Sequence, residues 1–432
     1  MEQNNQSIRL LVDQEVDSQL STAPFFWRQK ALAEAESEWI WGYATTEYDM
    51  EEDGSVSVIL LFRGTGEPTP VTTVKGFEIY EGEAVTVGDW NGDGKNELIA
   101  VDIDGQLRVF EFEGRPVEGI VAAPSSAKIV HRKPVILVRG GNGGPLLAFL
   151  SVGASMIDAA STLAAYHAPG RPLPGFPLEL DPPSVSSLVA ASEQSGKKRL
   201  VFVRENGSIC FYDWSRKILR QIARVKPDLA GQTVLTAADV DFDGEEEILF
   251  ASGGDTVVSL HMTEGGATRG TPVQRAGGAF VALVSGRGSD GKPVVCVYDQ
   301  AQRQFGFFSG GQLSWASPCE INPAHTLVSL SEGPVIGQRG SVFVAVFYNP
   351  SGVTEVLLFD SKGDAIDGTP ILWSGLCPFI DGDESMVLVP AALHEPSESR
   401  LLLLTGLCGC QGDEPARVCM HEIKGVQGAQ DA

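Results

Sequence analysis

Short apolar runs separated by polar, Gly- or Pro-bearing stretches recur along the whole chain, and almost no segment carries the 3.6-residue period of an amphipathic helix. Runs that read as buried strands stand at 84–87, 134–138, 184–190, 233–237, 280–284, 327–330 and 386–389, with starts about 50 residues apart except for a longer last interval. Each is followed by a loop and then a strand–turn–strand pair. Clear cases are "ELIAVDIDGQLRVFEF", "RLVFVRENGSICFYDW", "EILFASGGDTVVSL" and "VFVAVFYNPSGVTEVLLF". Their turns hold Asp-Gly, Asn-Gly, Gly-Gly and Pro-Ser-Gly, which are hairpin signals.

A second marker keeps the same period. The stretches 114–119 (GRPVEG), 170–175 (GRPLPG), 265–270 (GGATRG) and 363–368 (GDAIDG) share a Gly-x4-Gly frame, and three of them are followed two residues later by Pro177, Pro272 and Pro370. Gly permits positive φ and Pro cannot donate to a ladder, so these stretches read as linkers outside the sheets. Four-stranded antiparallel units repeating in this way predict an all-β chain folded as a seven-bladed β-propeller. The segments "EWIWGYATTEY" and "SVSVILLFRG" within 38–64 precede the first inner strand. They either complete the last blade or form an eighth; the reading favours seven, with eight as the alternative. Residues 1–37 are expected to be an N-terminal appendage with a short helix over "FFWRQKALAEAE". The propeller is expected over 38–423, with a flexible tail at 424–432.

The chain is long for a single-core domain, 432 residues, but a repeat architecture can grow as one body. Its 49 Gly and 25 Pro are spread between the apolar runs as turn chemistry. A formal charge of −24 argues against nucleic-acid and anionic-membrane surfaces, and suits cations and basic protein partners. The N-terminus lacks a basic start followed by an apolar core, and no run of 18 apolar residues occurs. The expectation is a cytoplasmic protein without membrane insertion, with non-classical export as the alternative. The seven Cys fall mostly in apolar runs and read as buried free thiols.

The chemistry concentrates in two loops, "DWNGDGKNE" and "DVDFDGEEE", which align without a gap. Asp89, Asn91, Asp93 and Glu97 occupy positions 1, 3, 5 and 9 of the first, and Asp239, Asp241, Asp243 and Glu247 the same positions of the second. Gly94 and Gly244 stand at position 6, and the carbonyls of Lys95 and Glu245 at position 7 add an oxygen each. Hard oxygens converging in this way suit Ca²⁺, with Mg²⁺ or Mn²⁺ as second choices. Position 12 is Ala100 or Phe250 and both flanks are strand-like, so neither loop is an EF-hand. The acidic stretch "FIDGDES" at 379–385 lacks the spacing. Trp90 and Phe242 inside the loops read equally well as exposed contacts or as packing against a neighbouring blade.

With these residues in view the chain resembles the FG-GAP/VCBS repeats of integrin-α-type propellers, whose loops hold Ca²⁺ between the first and second strands of a blade. The resemblance implies that Asp89, Asn91, Asp93, Lys95 and Glu97, and likewise Asp239, Asp241, Asp243, Glu245 and Glu247, are ligands in a structural role. "GRPLPGFPLEL" resembles a linker of bacterial members. Five units lack the metal motif.

A cation enclosed by protein oxygens has no open position at which to activate water. The six His fall in no ligand or base spacing, and no nucleophile elbow, Walker A or zincin motif occurs. The expected function is therefore non-catalytic: a protein–protein interaction scaffold, a subunit of a larger complex. A carbohydrate-binding lectin or adhesin propeller is the alternative.

Overall fold

A computed structural model describes residues 8–16, 19–20, 25–30, 37–49, 54–63, 72–77, 85–102, 107–117, 135–138, 145–152, 161–168, 171–186, 188–192, 198–214, 217–263, 266–270, 272–318, 320–377, 391–395, 400–409 and 415–424. Among these, strands account for the regular structure apart from two short 3-10 turns, Pro227–Gln232 and Gly337–Arg339. The strands form eight antiparallel sheets. In chain order they are sheet 1 (19–77), sheet 2 (85–110), sheet 3 (135–180), sheet 4 (189–224), sheet 5 (234–274), sheet 6 (280–316), sheet 7 (326–374) and sheet 8 (376–424). The chain divides into two compact units, Ser18–Gly231 with sheets 1–4, and Gln232–Ala432 plus Met1–Asp17 with sheets 5–8.

The expectation of seven blades is corrected to eight sheets, because residues 38–64 do not complete the last one. Ser37–Asp49 and Gly54–Arg63 pair with each other. Gln19–Leu20 and Phe25–Lys30 pair with the first of these strands, and Thr72–Phe77 with the second. The helix expected over 25–36 is likewise corrected at its start. Phe25–Lys30 is a strand in register with Ser37–Gly42, since the aromatic run Phe25-Phe26-Trp27 finds a sheet edge that outweighs local helix propensity. Residues 31–36 lie outside the described residues. The last sheet is completed by Ile8–Val16, in the region read as an appendage, which pairs with Ala416–Lys424 from Ile8↔Ile423 to Val16↔Ala416. Arg417 fastens this pair through Asp13 at 3.1 Å and Glu15 at 2.7 Å.

Five of the seven expected inner runs coincide with first strands of sheets, and 184–190 meets Val189–Ser192 only at its last two residues; 386–389 lies outside the described residues. The middle strands are buried on both faces. Leu200, Val201, Phe202 and Val203 are all fully buried, which is why they read as continuous apolar runs rather than as alternation. Sheets 6 and 7 share an aromatic-rich core, with Tyr298, Phe305 and Phe307 against Phe343, Phe347 and Phe359. Phe305 and Phe359 approach to 4.4 Å between ring centroids. Each such ring contributes about 1.5–3 kcal/mol by burial alone. Gly306 sits among them because a Cβ there would lie 2.9 Å from Trp315 and Val297.

The Gly-x4-Gly stretches differ from expectation, for they fold back onto their own sheets. Pro116 bridges Phe110, Arg171–Pro172 pairs with Tyr166 and His167, and Ala365 bridges Phe359. At Gly363, φ is +85° and the N–H closes a turn on Asp360 O at 3.0 Å, so the chain can reverse there; a Cβ would lie 2.2 Å from Ala316.

Candidate metal centre

Both acidic loops connect the first strand of a sheet to the second: 89–96 lies between Val85–Gly88 and Glu97–Val101, and 239–246 between Val234–Ala238 and Glu247–Ala251. Their internal hydrogen bonds repeat at the same offsets. In the first, the Trp90 N–H donates to Glu97 Oε2 at 2.8 Å, Asp93 N–H to Asn91 Oδ1 at 2.8 Å, Gly94 N–H to Asp89 Oδ2 at 3.0 Å and Lys95 N–H to Asp93 Oδ1 at 2.8 Å. In the second, Val240 N–H donates to Glu247 Oε2 at 2.8 Å, Asp243 N–H to Asp241 Oδ1 at 3.2 Å, Gly244 N–H to Asp239 Oδ2 at 3.0 Å and Glu245 N–H to Asp243 Oδ1 at 2.8 Å. Asp89 accepts at both oxygens, Oδ1 from the Gly92 N–H at 2.8 Å and Oδ2 from Gly94; an oxygen that accepts one such bond still keeps a lone pair for a ligand. Gly94 and Gly244 adopt φ of +86° and +91°, the left-handed conformation expected of position 6.

The Glu at position 9 is the buried end of each loop. Glu97 is 3% exposed and Glu247 1%. Burial, with Asp93 and Asp89 adding repulsion, holds the Glu97 carboxyl above the ordinary range. Burial and then Asp241, Asp243 and Asp239 push Glu247 up to about 7. A buried carboxyl facing other carboxylates is the electrostatic problem that a divalent cation solves. The remaining ligand atoms fit such a cation. Oxygens of Asp89, Asp93 and Glu97 lie within 4.8 Å of one another, as do those of Asp241, Asp243 and Glu247. In the second loop Asp239 Oδ1 is buried without a hydrogen-bond partner.

The sequence reading missed a further side chain at the second loop. His261, on Thr256–Thr263, points Nδ1 at Glu247 Oε1 (3.3 Å) and Asp241 Oδ2 (3.7 Å), inside the same 4.8 Å set. The signal was present in the hairpin. Ile248 pairs with Leu260 across the Gly253-Gly254 turn, so the next position outward sets Glu247 beside His261.

The two aromatic positions differ. Trp90 is 1% exposed and packs on Leu147, Ala164 and Tyr166 of sheet 3, so it is core and not an exposed contact. Phe242 is 39% exposed, holds φ at +67° where the first loop has Gly92, and lies beneath Lys292 with Nζ 4.9 Å from its ring centre. Asp102, on the hairpin after the first loop, is buried against Arg108 at 2.9 Å and does not join the cluster. The acidic stretch 379–385 and the Gly-rich 140–144 lie outside the described residues. A separate cleft of about 320 Å³ opens in the C-terminal unit, lined by Asp290, Phe307, Ser309, Gln312, Ser314 and Lys362 among others.

No protein-family model matches the sequence, and no curated protein matches it. Solved structures do. Sqt1 of Saccharomyces cerevisiae superposes with a TM-score of 0.56 at 10% identity, over 96% of this chain and 98% of that one. The BP39L lectin of Burkholderia pseudomallei does so with 0.51 at 15% identity, over 80% and 96%. BBS1N, crystallised with ARL6DN, gives 0.47 at 16% identity, over 84% and 97%. With the eight sheets above, the first two make the chain an all-β, eight-bladed β-propeller of antiparallel sheets with three to five strands each among the described residues.

Proposed function

We propose that the chain is a non-catalytic protein–protein interaction scaffold, a propeller subunit of a larger assembly whose two acidic loops are Ca²⁺ staples of the FG-GAP/VCBS kind. The observation that carries this reading is the duplicated loop. The same hydrogen bonds and the same buried Glu stand in two sheets, an arrangement suited to fixing a strand-to-strand connection. The ligands are Asp89, Asn91, Asp93, Glu97 and the Lys95 carbonyl, and Asp239, Asp241, Asp243, Glu247 and the Glu245 carbonyl. Loops fixed in this way present the surrounding surface without an ordering cost on binding. The charge of −24 and exposed Phe242 suit a basic partner with an apolar contact, in the cytoplasm.

The second reading is a carbohydrate-binding propeller. It is favoured by the cleft beside Phe307, where Asp290, Ser309, Gln312 and Lys362 offer the hydrogen-bonding rim that a sugar requires. A pull-down from native extract beside a glycan array separates the two. A stoichiometric protein partner with no glycan signal supports the scaffold; glycan binding without a partner replaces it with the lectin.

A further inference from the structure

The two loops are alike in backbone but not in their donors. Beside the first, the residue one step beyond the Leu98↔Phe110 pair is Glu111, whose carboxylate is taken by Arg115 at 2.9 Å. Beside the second, the residue one step beyond Ile248↔Leu260 is His261, and its Nδ1 enters the ligand set. The group of Asp241, Asp243, Glu247 and His261 is therefore three oxygens and one imidazole nitrogen. Glu247 is 1% exposed and uses Oε2 on the Val240 N–H; its other oxygen faces the imidazole across 3.3 Å. Asp239 Oδ1 adds a buried oxygen with no partner on the same loop. Lone-pair donors from two strands and a loop converge on one place, where a single cation would satisfy them together.

We propose that this second loop is a site for a borderline divalent transition ion, of which Zn²⁺ is representative, while the first loop keeps the hard-cation preference. Ca²⁺ favours an all-oxygen shell, whereas an imidazole nitrogen suits zinc, iron, nickel and copper. Carboxylate and imidazole donors also bind Zn²⁺ at closely similar distances, about 2.0–2.2 Å, so one ion can draw on all four side chains. The two blades that look equivalent in sequence are then chemically distinct sites. This rests on reading the loops as cation sites, so its test scores that reading separately.

The experiment uses untagged full-length protein, stripped of metal and titrated with Co²⁺ in a large excess of Ca²⁺, read by the visible d–d absorption of Co²⁺. One tight Co²⁺ per chain is expected. His261→Gln should weaken it at least about tenfold, and Asp243→Ala should abolish it. Asp93→Ala should leave it intact. His261→Glu should restore displacement by Ca²⁺. Melting curves in chelator control for folding of each variant. Displacement of Co²⁺ by Ca²⁺ from wild type, or an unchanged band in His261→Gln, overturns the proposal. If Ca²⁺ still raises the melting temperature of Asp243→Ala in that case, the first loop's calcium reading survives alone. Binding of neither ion to either loop sinks both.

Discussion

Asp93→Ala discriminates a cation staple from an acidic turn because its two consequences differ in size. In chelator the substitution removes one exposed hydrogen bond, from the Lys95 N–H at 2.8 Å, worth about 0.5–1.5 kcal/mol. It also relieves repulsion with Asp89 and Glu97, whose ligand oxygens lie within 4.8 Å, by about 1 kcal/mol per pair at a water-like dielectric. The relief, about 2 kcal/mol for the two pairs, slightly exceeds the loss, and the metal-free variant should be as stable as wild type or up to about 1.5 kcal/mol more so. With Ca²⁺ at 100 times its dissociation constant, wild type gains about 2.7 kcal/mol from this site and the variant gains little. For a cooperative unit the size of Ser18–Gly231 that is a melting shift of about 5–11 °C present in wild type and missing in the variant. Differential scanning calorimetry with Ca²⁺ and with chelator reads it directly. A drop of equal size in both conditions would mean that Asp93 is only a turn residue, and absence of any Ca²⁺ shift in wild type would refute the reasoning.

Trp90→Ala should behave oppositely. It removes a side chain 1% exposed from the core shared with sheet 3, costing about 3–5 kcal/mol with or without Ca²⁺, as urea denaturation would show. Phe242→Gly should change stability by less than about 1 kcal/mol. Relief of a left-handed non-Gly conformation, about 1–2 kcal/mol, offsets loss of the Lys292 contact and the added freedom of the unfolded chain. The same variant should weaken capture of the protein partner if that residue is a contact. His421 supplies a pH dependence. Burial, against a smaller opposing influence of Asp13, lowers its pKa to about 4, so the unfolded chain takes up the proton first as pH falls. Its contribution is fully present above about pH 6.5 and is lost by about pH 4, on the order of 3 kcal/mol. Melting curves at pH 7.5 and 4.5 should therefore converge in His421→Leu relative to wild type; equal losses in both proteins would exclude the residue as the source.

The repeat and the loops were legible because both are local. Buried strands read as apolar runs, and a loop that gathers the carboxylates of alternate residues writes them at fixed offsets. What escaped was set by pairing between distant segments. Ile8–Val16 closes the last sheet against Ala416–Lys424, roughly 400 positions away, and nothing within IRLLVDQEV announces that partner. Sheet 1 begins with the two-residue strand Gln19–Leu20 and with Phe25–Lys30, too short and too far apart to show a period. Its sequence also holds no copy of the nine-residue loop pattern of 89–97 and 239–247 to mark it. The Gly-x4-Gly stretches were read as lying outside the sheets because Pro cannot donate. Yet Pro116 and Pro172 stand at non-hydrogen-bonded positions of the ladder, where their neighbours make the bonds: Glu111 N–H donates to Arg115 O, Val117 N–H to Val109 O and Leu173 N–H to Ala165 O, each at 2.9 Å. His261 required the hairpin register, not the loop spacing, to be placed beside Glu247.

The central claim is that two loops, and not acidity in general, bind Ca²⁺ and staple the sheets that carry them. Equilibrium dialysis against ⁴⁵Ca²⁺, in buffer freed of transition ions and with excess Mg²⁺, tests it most directly. The account predicts two Ca²⁺ per chain in wild type, one in Asp93→Ala, one in Asp243→Ala and none in the double variant. A wild-type count near zero, or a count that the two substitutions leave unchanged, would contradict it.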